Sequence, residues 1–203
     1  MIKKVTLKFT GPLKPFTQPV VKLIQHHMAH PTWDIFNVHT YHRNTNKWLG
    51  IGYNYFIDFE GQIFEGRGMN IGAHAGANWN GRSLGIGYQC DFTIQQMTDA
   101  QLIAGVWLNA KFIKEYGLSI DDIIGHKDIS TTQCPGLNFR MQELKDATIL
   151  GLHLKEPLII QLENENKDLK RQNEELQSKI NQMLSDIKQS QGPLKKYIQV
   201  WEE

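Results

Sequence analysis

Apolar and polar positions follow two different rhythms along this chain. Over the first part, short apolar runs alternate with helix-like spacing. The apolar run at residues 20–24 predicts a buried strand that delivers Gln25, His26 and His27 at its end. Residues 51–57 and 62–65 alternate around Phe59, Glu60 and Gly61, which predicts a hairpin whose glycine can take a positive φ. Residues 83–92 read as another strand. Thr98 followed by Gln101 forms a capping box, and apolar residues at 102, 103, 106, 110 and 113 carry a helix that stops at Gly117. A second helix is expected after Asn138, running through Leu144 and Ile149. Strand and helix signals interleaved in this way predict an α/β domain, a central mixed β-sheet flanked by helices, over residues 1–153.

From residue 154 the rhythm becomes heptadic. Ile159, Asn166, Asn173, Ile180 and Ile187 occupy one seam position, and Leu162, Leu169, Leu176 and Met183 the other. Spacings of three and four that never slip predict a coiled-coil helix over residues 154–190. Leucine at d with isoleucine or asparagine at a favours two strands. An asparagine at a is best satisfied by its own symmetry mate, so a parallel homodimer is expected. Glu165 at a g position can reach Lys170 at the partner's e position, a contact of small energy when exposed. Gly192 and Pro193 break the pattern, leaving residues 191–203 as a short tail without an assigned role.

Composition sharpens this division. All eight histidines, both cysteines and four of the five tryptophans precede Leu154. With 22 basic and 21 acidic residues, the chain has no charge excess to steer nucleic acid. No stretch approaches the roughly 18 apolar residues a membrane helix needs, so membrane insertion is not expected. The N-terminus lacks the apolar core of a secretory signal. Cytoplasmic synthesis is therefore expected, with any extracellular action following release by a route the sequence does not show. Two cysteines build no disulfide framework, and no CxxC pair is present.

Candidate chemistry concentrates in GHKDISTTQCPG, residues 125–136, where His126 and Cys134 flank a loop able to bend them together. Imidazole nitrogen and thiolate both suit Zn²⁺, and a catalytic zinc takes three protein ligands with one position open. A third ligand can come from His26 or His27, which a strand end sends to opposite faces. Two other nucleophiles compete. Ser83 sits in a GxSxG pattern, but it opens a strand instead of joining a strand to a helix as a nucleophile elbow does. Cys90 paired with His126 would make a cysteine amidase, against the ordinary reading of a lone strand cysteine as a small buried residue.

Four segments together, LIQHHMAH, WLGIGYNYFIDFEGQIFEGRG, IGAHAGANWNGRSLGIG and GHKDISTTQCPG, resemble the zinc-dependent N-acetylmuramoyl-L-alanine amidases. That family includes amidase-type phage lysozymes and peptidoglycan recognition proteins. The resemblance spans about residues 20–140 and excludes the heptad helix. It implies zinc ligation by His26, His126 and Cys134, with His27 a neighbour that does not ligate. It also implies catalytic roles for Tyr53 beside the metal and Thr132 near the developing oxyanion. His74, Asn80 and Arg67 match positions along the substrate groove, and Trp79, lying between the first two, is the aromatic expected to stack on a sugar. Gly87 stands where a subgroup of the family carries a glutamate proposed as general base, so a mechanism relying on that carboxylate does not transfer. The implied reaction is attack of zinc-bound water on the amide joining N-acetylmuramic acid to L-alanine in peptidoglycan, in wall lysis or remodelling, as in a phage endolysin. A peptidoglycan-recognition module with little catalysis is the alternative. A scaffold organised by the coil is a third.

Overall fold

The computed structural model describes residues 2–153 and 156–199. Contacts divide the chain into two compact units, residues 1–153 and residues 154–203. The first unit contains β1 (Ile2–Lys3), β2 (Lys22–His27), α1 (Ile35–Asn44), β3 (Tyr55–Ile57), β4 (Ile63–Glu65), the one-turn α2 (Ala77–Asn80), β5 (Ser83–Tyr88), α3 (Asp99–Tyr116), β6 (Ile123–Gly125) and α4 (Met141–His153). The six strands form one sheet in the order β1-β4-β3-β5-β2-β6. β3, β5, β2 and β6 run parallel, whereas β4 pairs antiparallel with β3 and parallel with β1. The sheet is thus mixed, and the fold is α/β.

Alternation along the strands assigns each residue to a layer. Tyr55 and Ile57 join a core with Leu23, Tyr88, Leu108, Phe112 and Leu144 under α3 and α4. Phe56 points the other way and packs with Ile35, Val38 and Ile51 beneath α1. α3 has the expected boundaries: Thr98 accepts from the Gln101 amide, the Gln101 side chain answers, and Gly117 closes the helix at φ 65°. A cap of this kind contributes about 1 kcal/mol.

β2 differs from its expected limits, starting at Lys22 and running through both histidines. It is paired on both edges, with Gln25 opposite Ile86 and Gly125. The buried Gln25 side chain is fully engaged: Gln25 Nε2 donates to Asn109 Oδ1 at 3.0 Å, and Tyr88 Oη donates to Gln25 Oε1 at 2.9 Å. The hairpin is shorter than expected because residues 51 and 52 donate to imidazoles instead of a strand. Ile51 N reaches His39 Nδ1 at 3.2 Å and Gly52 N reaches His42 Nδ1 at 3.0 Å. β5 ends at Tyr88, short of the expected Phe92, whose amide turns to His27 Nδ1.

In the second unit, α5 spans Glu156–Gln199. The sequence predicted a break at Gly192 and Pro193, and the helix runs past both. Proline removes one hydrogen bond and costs about 3 kcal/mol in a helix interior, which is a penalty and not a prohibition. Leu154, Lys155 and residues 200–203 of the expected tail lie outside the described residues, as do the side chains of Ile159 and Leu162. Leu169, Leu176, Ile180 and Met183 are between 48% and 63% exposed. No described helix is long and apolar enough to cross a membrane.

Candidate metal centre and cleft

The site lies at the carboxyl ends of two adjacent parallel strands, where open α/β sheets commonly place ligands. The period of two separates the paired histidines of β2. His27 turns toward the α3 side, stacks with Phe92 and accepts the Phe92 amide at 3.1 Å. His26 points to the opposite face. Because β6 lies beside β2, His126, the residue after Gly125, arrives next to it, with ring centroids 4.6 Å apart. The loop then returns Cys134: Lys127 N donates to Cys134 O at 2.7 Å, and Cys134 N donates to Thr132 Oγ1 at 3.2 Å. Ligand atoms of His26, His126 and Cys134 all lie within 4.8 Å of one another, with His26 Nδ1 3.6 Å from Cys134 Sγ. Among the described residues no other group of His, Cys, Asp or Glu converges in this way.

Burial sets the charge of this trio. It lowers the pKa of His26, reinforced by His74 and His126, and lowers that of His126 as well, leaving both imidazoles neutral with lone pairs to offer. The same burial pushes the Cys134 thiol up to about 12. A dication among them would reverse that preference and draw off the thiol proton. Two nitrogens and one sulfur fit Zn²⁺, with one coordination position left over.

Tyr53 flanks the trio. Its ring centroid lies 5.1 Å from that of His26, and its hydroxyl is 3.5 Å from His27 O. Burial, with Cys134 nearby, raises the phenol pKa above its usual value, so the hydroxyl keeps its proton. Two glycines of β5 make room on this face. A Cβ on Gly85 would stand 2.5 Å from His74 Cγ, and one on Gly87 would stand 2.8 Å from Tyr53 Cδ2. Space for a glutamate at 87 is therefore absent unless Tyr53 moves.

A cleft of about 480 Å³ adjoins His126 and is lined by Trp48, Ala73, His74, Asn80, Ile129 and Ser130, among others. Asn80 Oδ1 accepts from the amides of His74 and Ala75, both at 2.9 Å, which fixes its side chain. Other expected groove residues have different surroundings. Arg67 is buried, donating from Nε to Ile51 O and from Nη1 to Ile71 O, so it braces a loop. Trp79 is absent from the cleft lining, and its ring carries the Arg82 guanidinium at 4.3 Å. Thr132 is exposed, its oxygen committed to Cys134 N. The aromatic in the cleft is Trp48, which no local signal distinguished from a rim residue. A larger depression of about 700 Å³, lined by Glu60, Gln62, Ile103 and Trp107, contains no converging ligand set.

Neither competing nucleophile is placed to react. Ser83 is buried at the start of β5, donating to Trp79 O at 2.7 Å. Cys90 belongs to the apolar core, its thiol on Gln95 Oε1 and its pKa raised by burial to about 11.

Comparison with known proteins places this architecture among others. The profile of a family described as N-acetylmuramoyl-L-alanine amidase matches residues 16–137. Peptidoglycan-recognition protein SC2 of Drosophila melanogaster is 36% identical over 104 residues, 50% of this chain and 56% of that protein. The chain thus spans about half the length of such curated relatives. Peptidoglycan-recognition protein 2 of Holotrichia diomphalia is 37% identical over 134 residues, 59% of this chain and 68% of its own. Among solved structures, an endolysin N-acetylmuramoyl-L-alanine amidase of Clostridium intestinale has a TM-score of 0.66 at 28% identity, covering 72% of this chain and 93% of that one. Bumblebee peptidoglycan recognition protein SA has a TM-score of 0.61 at 27% identity, covering 70% and 92%.

Proposed function

The chain belongs to the N-acetylmuramoyl-L-alanine amidase family, and from that premise we propose that it hydrolyses the amide between N-acetylmuramic acid and L-alanine of peptidoglycan. The observation that carries this reading is the convergence of His26, His126 and Cys134 within 4.8 Å beside a cleft. These three residues would hold a zinc ion, which when bound supplies Lewis acidity toward a carbonyl and acidifies water toward a pKa of about 7.

The remaining residues bind and orient. Tyr53 Oη stays protonated and can donate to oxygen as charge develops on it, the kind of fixed donor that stabilises an oxyanion. Thr132 positions Cys134 by accepting its amide and retains its own hydroxyl proton for donation. Asn80, its oxygen already spent on two backbone amides, has only its NH₂ to offer a ligand carbonyl. Trp48 presents an aromatic surface for the apolar side of a sugar. Digestion of purified peptidoglycan is expected to release new N-terminal alanine, and a chelator is expected to stop it. New reducing ends in place of alanine would identify a glycosidase and overturn the assignment. Binding without either product would favour the recognition reading.

α5 adds a proposed parallel homodimer. Leu169, Leu176, Ile180 and Met183 form an exposed stripe at heptad spacing, with Asn166 and Asn173 in the same seam. Two wall-binding sites on one assembly would gain affinity for a repetitive polymer through effective concentration. Sedimentation equilibrium is expected to give twice the chain mass for the native protein and the single-chain mass for Leu176→Glu. A native monomer at micromolar concentration removes the proposal.

A further inference from the structure

We propose that His74 is a positioning residue for the metal centre, holding the Nε2 edge of His26 so that Nδ1 of His26 faces the cation. The inference rests on the metal reading of the site and assigns His74 a task different from lining the substrate groove. The two ring nitrogens of His26 face different partners. Nδ1 lies 3.6 Å from Cys134 Sγ, inside the ligand trio, and Nε2 lies 3.0 Å from His74 Nδ1. The two rings meet nearly edge to face, 82° apart. A metal-ligating imidazole must present a bare lone pair. With Nδ1 so used, the His26 proton sits on Nε2 and that N–H donates to Nδ1 of His74, whose own proton then lies on its Nε2. The partner of the remote nitrogen fixes both tautomer and ring orientation of a ligand histidine.

The surroundings of His74 hold its ring in place. Its backbone amide is anchored on Asn80 Oδ1 at 2.9 Å. Gly72 and Gly85 form a cradle in which a Cβ would stand 2.3 Å from His74 Cδ2 or 2.5 Å from Cγ, so the ring has a single place to sit. Among the described residues, His74 Nε2 is the buried side-chain atom without a hydrogen-bond partner. A buried polar edge left unpaired is unfavourable, and an apolar ring of the same size would avoid it. Nδ1 is the edge of the ring that has found a partner.

The full-length protein tests this through zinc affinity, measured by competition with a chromophoric chelator. His74→Phe keeps the ring volume and loses the acceptor, so affinity is expected to fall about 10- to 100-fold. In His74→Asn the side-chain oxygen takes the place of Nδ1 and is expected to restore most of that loss, which a purely space-filling role would not do. Nitrogen-15 NMR of zinc-loaded native protein is expected to show His26 metallated at Nδ1 and protonated at Nε2. Native affinity in His74→Phe, or a His26 metallated at Nε2, overturns the proposal while leaving zinc binding intact. A native protein that takes up no zinc overturns both this proposal and the metal reading beneath it.

Discussion

Replacing Cys134 with serine is expected to lower peptidoglycan hydrolysis by at least about a thousandfold. Cys134 contributes the only sulfur of the trio, and its side chain is the one donor that must lose a proton to bind. A serine hydroxyl will not ionise in a pocket where burial already pushes a thiol up to about 12. The metal would then rest on two neutral imidazoles. Losing several kcal/mol of metal-derived transition-state stabilisation corresponds to the stated factor, since each 1.36 kcal/mol is tenfold. The exchange removes little volume, so the chelated variant should melt close to the chelated native protein. Two readouts separate the possibilities: zinc per chain by elemental analysis, and N-terminal alanine released from purified wall. A Cys134→Ser protein that holds one zinc and turns over within tenfold of native sinks the ligand assignment. If wall binding survives while hydrolysis disappears, the cleft and the chemistry are separable, as a recognition module built on this fold would require.

Several parts of this site are legible in the amino-acid pattern because their physics is local. The paired histidines at a strand end must diverge, so one of them alone could join the loop ligands. Thr98, Gln101 and Gly117 mark the ends of α3 because caps act within a few residues. What the pattern hides is non-local. Nothing in residues 123–125 announces that this three-residue strand docks beside β2, yet that pairing brings His126 to His26. Trp79 is the sequence neighbour of Asn80, but α2 is a single turn whose side chains diverge, Asn80 to the cleft and Trp79 to Arg82. The cleft aromatic, Trp48, comes from the connection after α1. His39 and His42 take structural roles, as acceptors for backbone amides that a strand would otherwise pair. Burial holds His42 near a pKa of about 4, with Arg67 reinforcing it, so it performs that task as a neutral ring.

Gly87→Ala is expected to reduce kcat by about a hundredfold without changing zinc content. The added Cβ would stand 2.6 Å from Met28 Cε and 2.8 Å from Tyr53 Cδ2. Met28 can swing its terminal methyl aside. Tyr53 has less freedom: its ring lies against His26 on one side and His42 on another, with centroids at 5.1 and 5.4 Å, and its hydroxyl approaches His27 O. The ring must therefore tilt or slide, and a misplacement on the order of 1 Å at a reacting centre costs about 100-fold. Overpacking of this kind also destabilises a domain by about 1–3 kcal/mol, which thermal melts would register. The atoms nearest the new methyl belong to Met28 and Tyr53 and not to His26, His126 or Cys134, so the loss should appear in turnover and not in metal affinity. Gly87→Glu is expected to do worse than alanine, because a longer side chain displaces Tyr53 further and brings a carboxylate into a buried site. The route through Tyr53 can be tested with a double-mutant cycle. If displacement of Tyr53 is the cause, Gly87→Ala combined with Tyr53→Phe will be no slower than the more impaired of the two single variants. Multiplicative losses would place the effect elsewhere. A Gly87→Glu enzyme faster than native would show that this face accepts a general base after all.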